Sequence, residues 1–169
     1  MERIKLIFVT VGTHEQSFNR LVEYMDKWAS EHSEEVVIQT GFSLYEPNNC
    51  KWEKLFPYSE MIKKVEDARV VITHGGPSSF IMPLQIGKIP IVVPRQKKYD
   101  EHVNDHQLDF CKKLARQQNS IIVVEDVNEL GEILNNYDEL VFSMKNNIMS
   151  NNEKFCIELE KIVDELFRK

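Results

Sequence analysis

Between Arg95 and Gln107 the chain crowds hydrogen-bonding side chains together: Arg95, Gln96, Lys97, Lys98, Asp100, Glu101, His102, Asn104, Asp105, His106 and Gln107. A sugar presents several hydroxyls, and each needs a donor or acceptor once water is excluded, so this run suits a hexose. A solvated loop leading into a helix is the plainer account of the same charges. Upstream stands His74-Gly75-Gly76-Pro77-Ser78-Ser79, between an apolar β-rich run and a helical one. Its glycines allow close backbone approach to a ligand, Pro77 suits a first helical turn, and Ser78 or Ser79 can cap that helix. Unpaired N–H groups and the positive end of the helix dipole would then face the ligand, as in a diphosphate cradle. A second turn, Gly12-Thr13-His14, follows the first apolar run. Each turn alone is a weak signal, because many α/β domains end a strand with glycine and a histidine there is more often a hydrogen-bonded structural group. Taken with the polar run they suit one ligand, a diphosphate joined to a sugar.

Other chemistries are excluded by what the same positions lack. Gly12 has no second glycine two residues on, and no acidic residue ends the second strand, so the dinucleotide fingerprint is missing. No GxxxxGK[ST] occurs either. His102, His106 and Asp109 would share one helix face and offer metal ligands, but Val103 stands where the zinc-protease pattern needs a glutamate. Surface or ligand-contacting roles are the better account of these histidines, and no metal site is expected. A formal net charge of −6 without a basic face argues against nucleic acid. Three widely spaced cysteines, Cys50, Cys111 and Cys156, fit free thiols in a reducing compartment, two of them on apolar helical faces. No run reaches the length of a membrane span, and the opening apolar run is too short for a signal peptide.

These residues need elements to position them. Apolar runs predict strands at 4–11, 36–40, 52–56, 70–73, 89–93 and 121–124. Helical spacing predicts helices at 18–29, 61–68, 80–86, 103–116 and 127–134, with Asp126 or Asn128 capping the last. The alternation is that of a doubly wound, mostly parallel Rossmann-like α/β sheet with helices on both faces. Strand order 3-2-1-4-5 would set the two glycine turns side by side at the switch point. Residues 1–137 are expected to form the ligand-binding domain and 138–169 a helical extension of it. In that extension Phe155, Leu159, Ile162, Val163 and Leu166 make one apolar stripe, which packs on its own domain or docks a partner.

The segment ITHGGPSSFIMPLQIGKIPIVVPRQKKYDEHVNDHQ resembles the nucleotide-sugar-binding segment of GT-B glycosyltransferases, in particular glycosyltransferase family 28 C-terminal domains. The opening IFVTVGTHEQSFNRLV is similar to the first strand and turn of stand-alone catalytic subunits in that group, including the dolichol-pathway N-acetylglucosaminyltransferase and bacterial capsule and exopolysaccharide β-1,4-galactosyltransferases. The resemblance covers about 4–136. It implies that Gly12, Thr13, His74, Gly75, Gly76, Ser78 and Ser79 meet the diphosphate, and that Glu101 and His102, with Asp105 and Gln107 beside them, hold the donor sugar. His14 is then a candidate base, and Glu101 the second candidate for a part in catalysis. Where many relatives carry a ribose-binding glutamate, this chain has Met82.

The reaction implied is metal-independent transfer of a hexose, with galactose the first candidate, from a UDP-sugar to a lipid-linked saccharide. A GT-B enzyme needs two halves, and 169 residues hold one, so a membrane-associated acceptor-binding subunit is implied. The chain would lie at the cytoplasmic membrane face through that partner. A non-catalytic nucleotide-sugar-binding subunit and a UDP-sugar epimerase or hydrolase are the rival expectations.

Overall fold

The computed structural model describes residues 5–148 and 152–167. Its centre is a six-stranded, fully parallel sheet in the order β3-β2-β1-β4-β5-β6, with β1 Leu6–Thr10, β2 Glu35–Gln39, β3 Lys51–Glu53, β4 Val70–His74, β5 Ile91–Val93 and β6 Ile122–Val123. The expected order of the first five strands holds, and β6 extends the sheet beyond β5. Around the sheet run α1 Asn19–Glu31, α2 Tyr58–Asp67, α3 Pro77–Gln85, α4 His106–Gln118, α5 Leu130–Asn135, α6 Tyr137–Ile148 and α7 Asn152–Phe167. This is the doubly wound α/β fold that the alternation predicts.

The inner strands β1, β2, β4 and β5 are apolar on both faces because they are covered on both sides, whereas the edge strand β3 exposes Lys51 and Glu53. Along β1 and just past it, Ile7, Val9 and Val11 turn to one core, where Ile38, Ile72 and Val93 join the α1 stripe Leu21, Val22, Met25 and Trp28. Phe8, with Val37 and Val71, turns to the other face and meets Val65 of α2. On that second face Val92 packs with Phe80 and Leu84 of α3, Phe110, Cys111 and Leu114 of α4, and Leu159 and Ile162 of α7. The period-2 alternation of side chains is therefore what divides the interior into two layers.

Several element ends move from where periodicity puts them. Helix α2 starts at Tyr58, ahead of its first apolar residue Met61, because Pro57 is preset for the position that begins a helix. Helix α3 likewise begins at Pro77. Helix α4 begins at His106 and not at 103, since bends occupy the preceding residues. His102 therefore lies off the helix and shares no helix face with His106 and Asp109. Strand β5 loses its first two expected residues at Pro90, which has no N–H for a ladder. The expected 127–134 helix divides into a 3-10 turn, Val127–Glu129, and α5; of the two possible caps Asp126 is the one used, its carboxylate accepting the Asn128 N–H at 3.0 Å. Burial pushes the Cys111 thiol up to about 12, but Cys156 on α7 is exposed, contrary to the expectation of a second thiol on an apolar face.

The tail stripe packs on this chain's own sheet layer: Leu159 and Ile162 are buried against the α4 cluster, and Val163 packs beside them. The Phe155 and Leu166 side chains of that stripe lie outside the described residues. Lys113 to Glu165 at 2.7 Å and Gln118 to Glu158 at 3.0 Å flank the contact. Leu159→Ala should cost about 2 kcal/mol or more in chemical denaturation, whereas Ile157→Ala, half exposed on the same helix, should stay within about 0.5 kcal/mol. Equal small losses at both positions would mean that α7 is not part of the cooperative core.

Candidate functional site

Three loops meet at the carboxyl edge of the sheet, after β1, β4 and β5, where ligands of doubly wound sheets bind. Arg95 ties the first of them to the last. Its side chain is fully buried, and its guanidinium donates to the carbonyls of Val11 at 2.9 Å, Gln16 at 2.7 Å and Glu101 at 3.2 Å. Burial lowers its pKa to about 10, with the Glu101 carboxylate opposing, so it stays charged at neutral pH. Gln107, in the first turn of α4, accepts the N–H groups of both Gly75 and Arg95 on Oε1 at 3.1 Å each. Two backbone donors on one atom fix the amide orientation and leave its NH2 for the cleft that Gln107 borders.

His74 ends β4 almost wholly inside the protein, and the two flanking glycines exist to admit it. A Cβ on Gly12 would lie 2.3 Å from His74 Nε2, and one on Gly76 would lie 2.3 Å from Cε1. Gly12 also has φ +75°, a region that favours glycine. The room expected for a ligand at Gly76 is therefore occupied by the imidazole. The Gly76 N–H donates to Nδ1 at 2.9 Å, so the ring proton sits on Nε2 and donates to the Ser79 hydroxyl at 2.5 Å. Having accepted that bond, Ser79 keeps its own proton to give outward. Burial, then the Arg95 charge, push His74 down to about 4, so the ring is neutral at pH 7.

Neither serine caps α3: Gly76 occupies the cap position without a side-chain bond, and the Ser79 N–H turns back to the Gly76 carbonyl at 3.0 Å. With Pro77 contributing no N–H, the serine hydroxyls carry more of the donor capacity than a bare helix end would.

The cleft in front of these groups has a volume of about 380 Å³. Of the residues picked from sequence, Gly12, Thr13, His14, His74, Ser78, Ser79 and Gln107 border it. Gly75 and Gly76 are not among the residues that border it, and a Cβ on Gly75 would run into Gln107 and Cys111. His102 stands at its margin with its ring 4.9 Å from that of His14. Asp105 is exposed and accepts the Lys97 N–H at 2.8 Å, which shapes the loop after β5.

Glu101 stands elsewhere than a sugar-holding role would need. It is buried, and Arg20 grips its two oxygens at 2.6 and 3.0 Å while the Gln96 N–H reaches one of them at 3.1 Å. Arg20 further donates to the carbonyls of Glu125 and Pro94. Such a two-pronged ion pair fixes the loop after β5 against α1.

Met82, which stands at the expected ribose position, and residues not singled out from the sequence complete the cleft. Met61, Val65 and Met82 form an apolar wall. Thr10 and Gln39 form a buried polar floor: Thr10 Oγ1 accepts from Gly12 N–H at 3.2 Å and from Gln39 Nε2 at 3.1 Å, and Gln39 Oε1 accepts the Phe56 N–H at 2.9 Å. A glutamine closing the apolar strand β2 was the signal for that floor, since a buried polar side chain at a strand end needs a built partner. For Arg20 the signal was a cation beside the inward stripe Phe18, Leu21 and Val22 at the first turn of α1.

Two stability measurements test this geometry. Glu101→Gln should cost about 3 kcal/mol in denaturant unfolding, as breaking one side of a buried pair does; a loss under about 1 kcal/mol would rank the pair with exposed ones. For His74 the folded pKa lies below the unfolded value of 6.5. On acidification the unfolded chain takes up the proton first, so stability falls as pH drops from about 6.5 to about 4 and is level below that. Between pH 7 and 4.5 the wild type should lose about 2 to 3 kcal/mol more than His74→Gln; equal losses would mean that the ring is not held neutral.

Comparison with known proteins follows the same lines. Residues 6–166 match the glycosyltransferase family 28 C-terminal domain. UDP-N-acetylglucosamine transferase subunit ALG13 of Homo sapiens is 29% identical over 125 residues, 68% of this chain, and that of Mus musculus is 28% identical over 128 residues. The chain spans 10% of the length of these curated relatives. Among solved structures, the glycotransferase of kitacinnamycin superposes with a TM-score of 0.64 at 16% identity, covering 96% of this chain and 43% of that one. CalG4, the calicheamicin glycosyltransferase, superposes at 0.60 with 13% identity, covering 96% of this chain and 44% of that one. The structural likenesses speak for the fold, and a family match running from β1 into α7 decides the rest: the protein belongs to the glycosyltransferase family 28 C-terminal domain family.

Proposed function

We propose that this chain is the donor-binding, catalytic subunit of a two-component glycosyltransferase, which moves a hexose from a UDP-sugar to a lipid-linked saccharide. The observation that carries the reading is the Ser79 hydroxyl at the start of α3, turned by His74 to donate into a cleft at the switch point between β1 and β4. A diphosphate seated there meets the α3 dipole and the Ser78 and Ser79 hydroxyls, and no cation is needed for its charge. In the reaction the acceptor oxygen bonds to the anomeric carbon as the bond from that carbon to the diphosphate oxygen breaks. The electron pair leaves on UDP, and preorganised donors stabilise it. The apolar wall of Met61, Val65 and Met82 gives the nucleoside a surface to cover. Among the described residues no acidic side chain borders the cleft, and the ribose hydroxyls fall to amides such as Gln107.

The chain covers 43% and 44% of the two glycosyltransferases named above. The curated relatives are named as a subunit, which supports an acceptor-binding half on a partner chain, and among the described residues no helix is long and apolar enough to cross a membrane. A membrane-associated partner at the cytoplasmic face would then present the lipid-linked acceptor. UDP-galactose, in a β-1,4 transfer for capsule or exopolysaccharide, is the first candidate donor. UDP-N-acetylglucosamine, the sugar nucleotide in the relatives' own name, is the second.

Calorimetric titration of the purified chain with UDP, UDP-galactose, UDP-glucose and UDP-N-acetylglucosamine, with and without EDTA, tests the reading. Binding of UDP unaffected by EDTA and one preferred sugar are expected. Ser79→Ala should weaken UDP about tenfold, the worth of a hydrogen bond to a charged acceptor, and Gly12→Ala should do likewise by displacing the His74 ring. Unchanged affinity in both variants would remove the diphosphate from this loop.

A further inference from the structure

The three histidines at the carboxyl edge share one local device. Each accepts on Nδ1 the backbone N–H of the residue two positions on: His14 from Gln16 at 3.2 Å, His74 from Gly76 at 2.9 Å, and His102 from Asn104 at a longer 3.4 Å. A ring nitrogen that accepts a hydrogen bond carries no proton, so in all three rings the proton is on Nε2. The Nδ1 lone pair, with which such a ring would take up a proton, is already engaged by backbone. His74 spends its Nε2–H on Ser79. His14, on the opposite wall of the same cleft, has its ring 4.9 Å from that of His102, so the loops after β1 and β5 bring two donors to one place.

We propose that His14 and His102 form a pair of neutral Nε2–H donors that hold an oxyanion of the bound nucleotide diphosphate, and that His14 is not the base for the acceptor hydroxyl. The surroundings of His14 favour its neutral form. Burial of His14, the charge of Arg95 and the neighbouring His102 all lower its pKa, with only Glu15 opposing. A protonated His14 would also lose the Gln16 N–H bond that shapes the turn. No proton changes hands in this role: the N–H stays on the imidazole while the electron pair of the breaking sugar–phosphate bond moves to the oxygen it faces. The acceptor's proton goes to a base supplied by the acceptor-binding subunit or to water. The inference rests on the diphosphate reading above, and the two can be separated by experiment.

The test uses the full chain and UDP alone. A base acts on the acceptor, so a base at residue 14 would leave UDP affinity untouched on truncation, whereas a diphosphate donor would not. His14→Ala should weaken UDP about tenfold, and His102→Ala comparably, as losing a donor to a charged group does. His14→Gln, which keeps an N–H near the distal ring position but cannot act as a base, should recover affinity to within about threefold of wild type. In the unmodified protein, nitrogen-15 imidazole spectra at pH 7 should show His14 and His102 as Nε2–H tautomers, and UDP should shift both. The Nδ1–H tautomer at His14, or UDP that shifts the Ser79 amide and leaves both imidazoles unmoved, would overturn the donor pair and leave the diphosphate site standing. UDP that shifts neither the Ser79 amide nor the imidazoles would overturn both.

Discussion

A buried guanidinium must find its partners within the protein, and the two terminal nitrogens of Arg95 do so at main-chain carbonyls on the loops after β1 and β5, while its Nε is left without a partner among the described residues. Carbonyls do not rotate away as side chains do, so the loops are held at fixed separation for as long as the cation stays inside. The charge is offset by Glu101, which is itself fixed by Arg20. Arg95 also acts at a distance. After burial, it is the next cause that lowers the pKa of both His14 and His74, so the cation that builds the site also disfavours a charge on those two rings.

The cleft consequently divides its polar groups into two kinds. Arg20, Arg95, Glu101 and the Gln107 carbonyl spend their capacity on protein and set geometry. Ser78, Ser79, His14 and the Gln107 NH2 are left facing the open volume. Ionised side chains dominate the first kind and neutral donors the second. This suits a ligand that carries its own negative charge, because a neutral donor needs no desolvation of a counter-charge before the ligand arrives.

Much of the fold was legible because its signals are local and repeated. Continuous β-branched runs such as VVI, alternating with stripes such as Phe18, Leu21, Val22 and Met25, give a parallel sheet with helical crossovers, and handed crossovers leave few orders to choose from. The turns Gly12-Thr13-His14 and His74 to Ser79 were legible as a site for the same reason. What pairs with what across the fold was not. Glu101 in sequence is a carboxylate in a polar loop, and nothing local says that Arg20, on a helix formed far earlier, takes both its oxygens. Gly76 in sequence is a glycine beside a helix start, and only the folded chain shows an imidazole filling the space that it leaves. Long-range polar pairing has no period, so periodicity cannot find it.

The imidazole lodged between Gly12 and Gly76 binds three positions into a single heritable unit. Two of them are far from the third in sequence, yet each is limited by the volume of the same ring. A chain descended from this one can enlarge residue 12 or residue 76 only after residue 74 has shrunk, and shrinking residue 74 strips the Ser79 hydroxyl of the proton that orients it. Drift at these positions is therefore gated by order of events: the first step in any path away from this arrangement is one that disorders the site before it gains any new freedom.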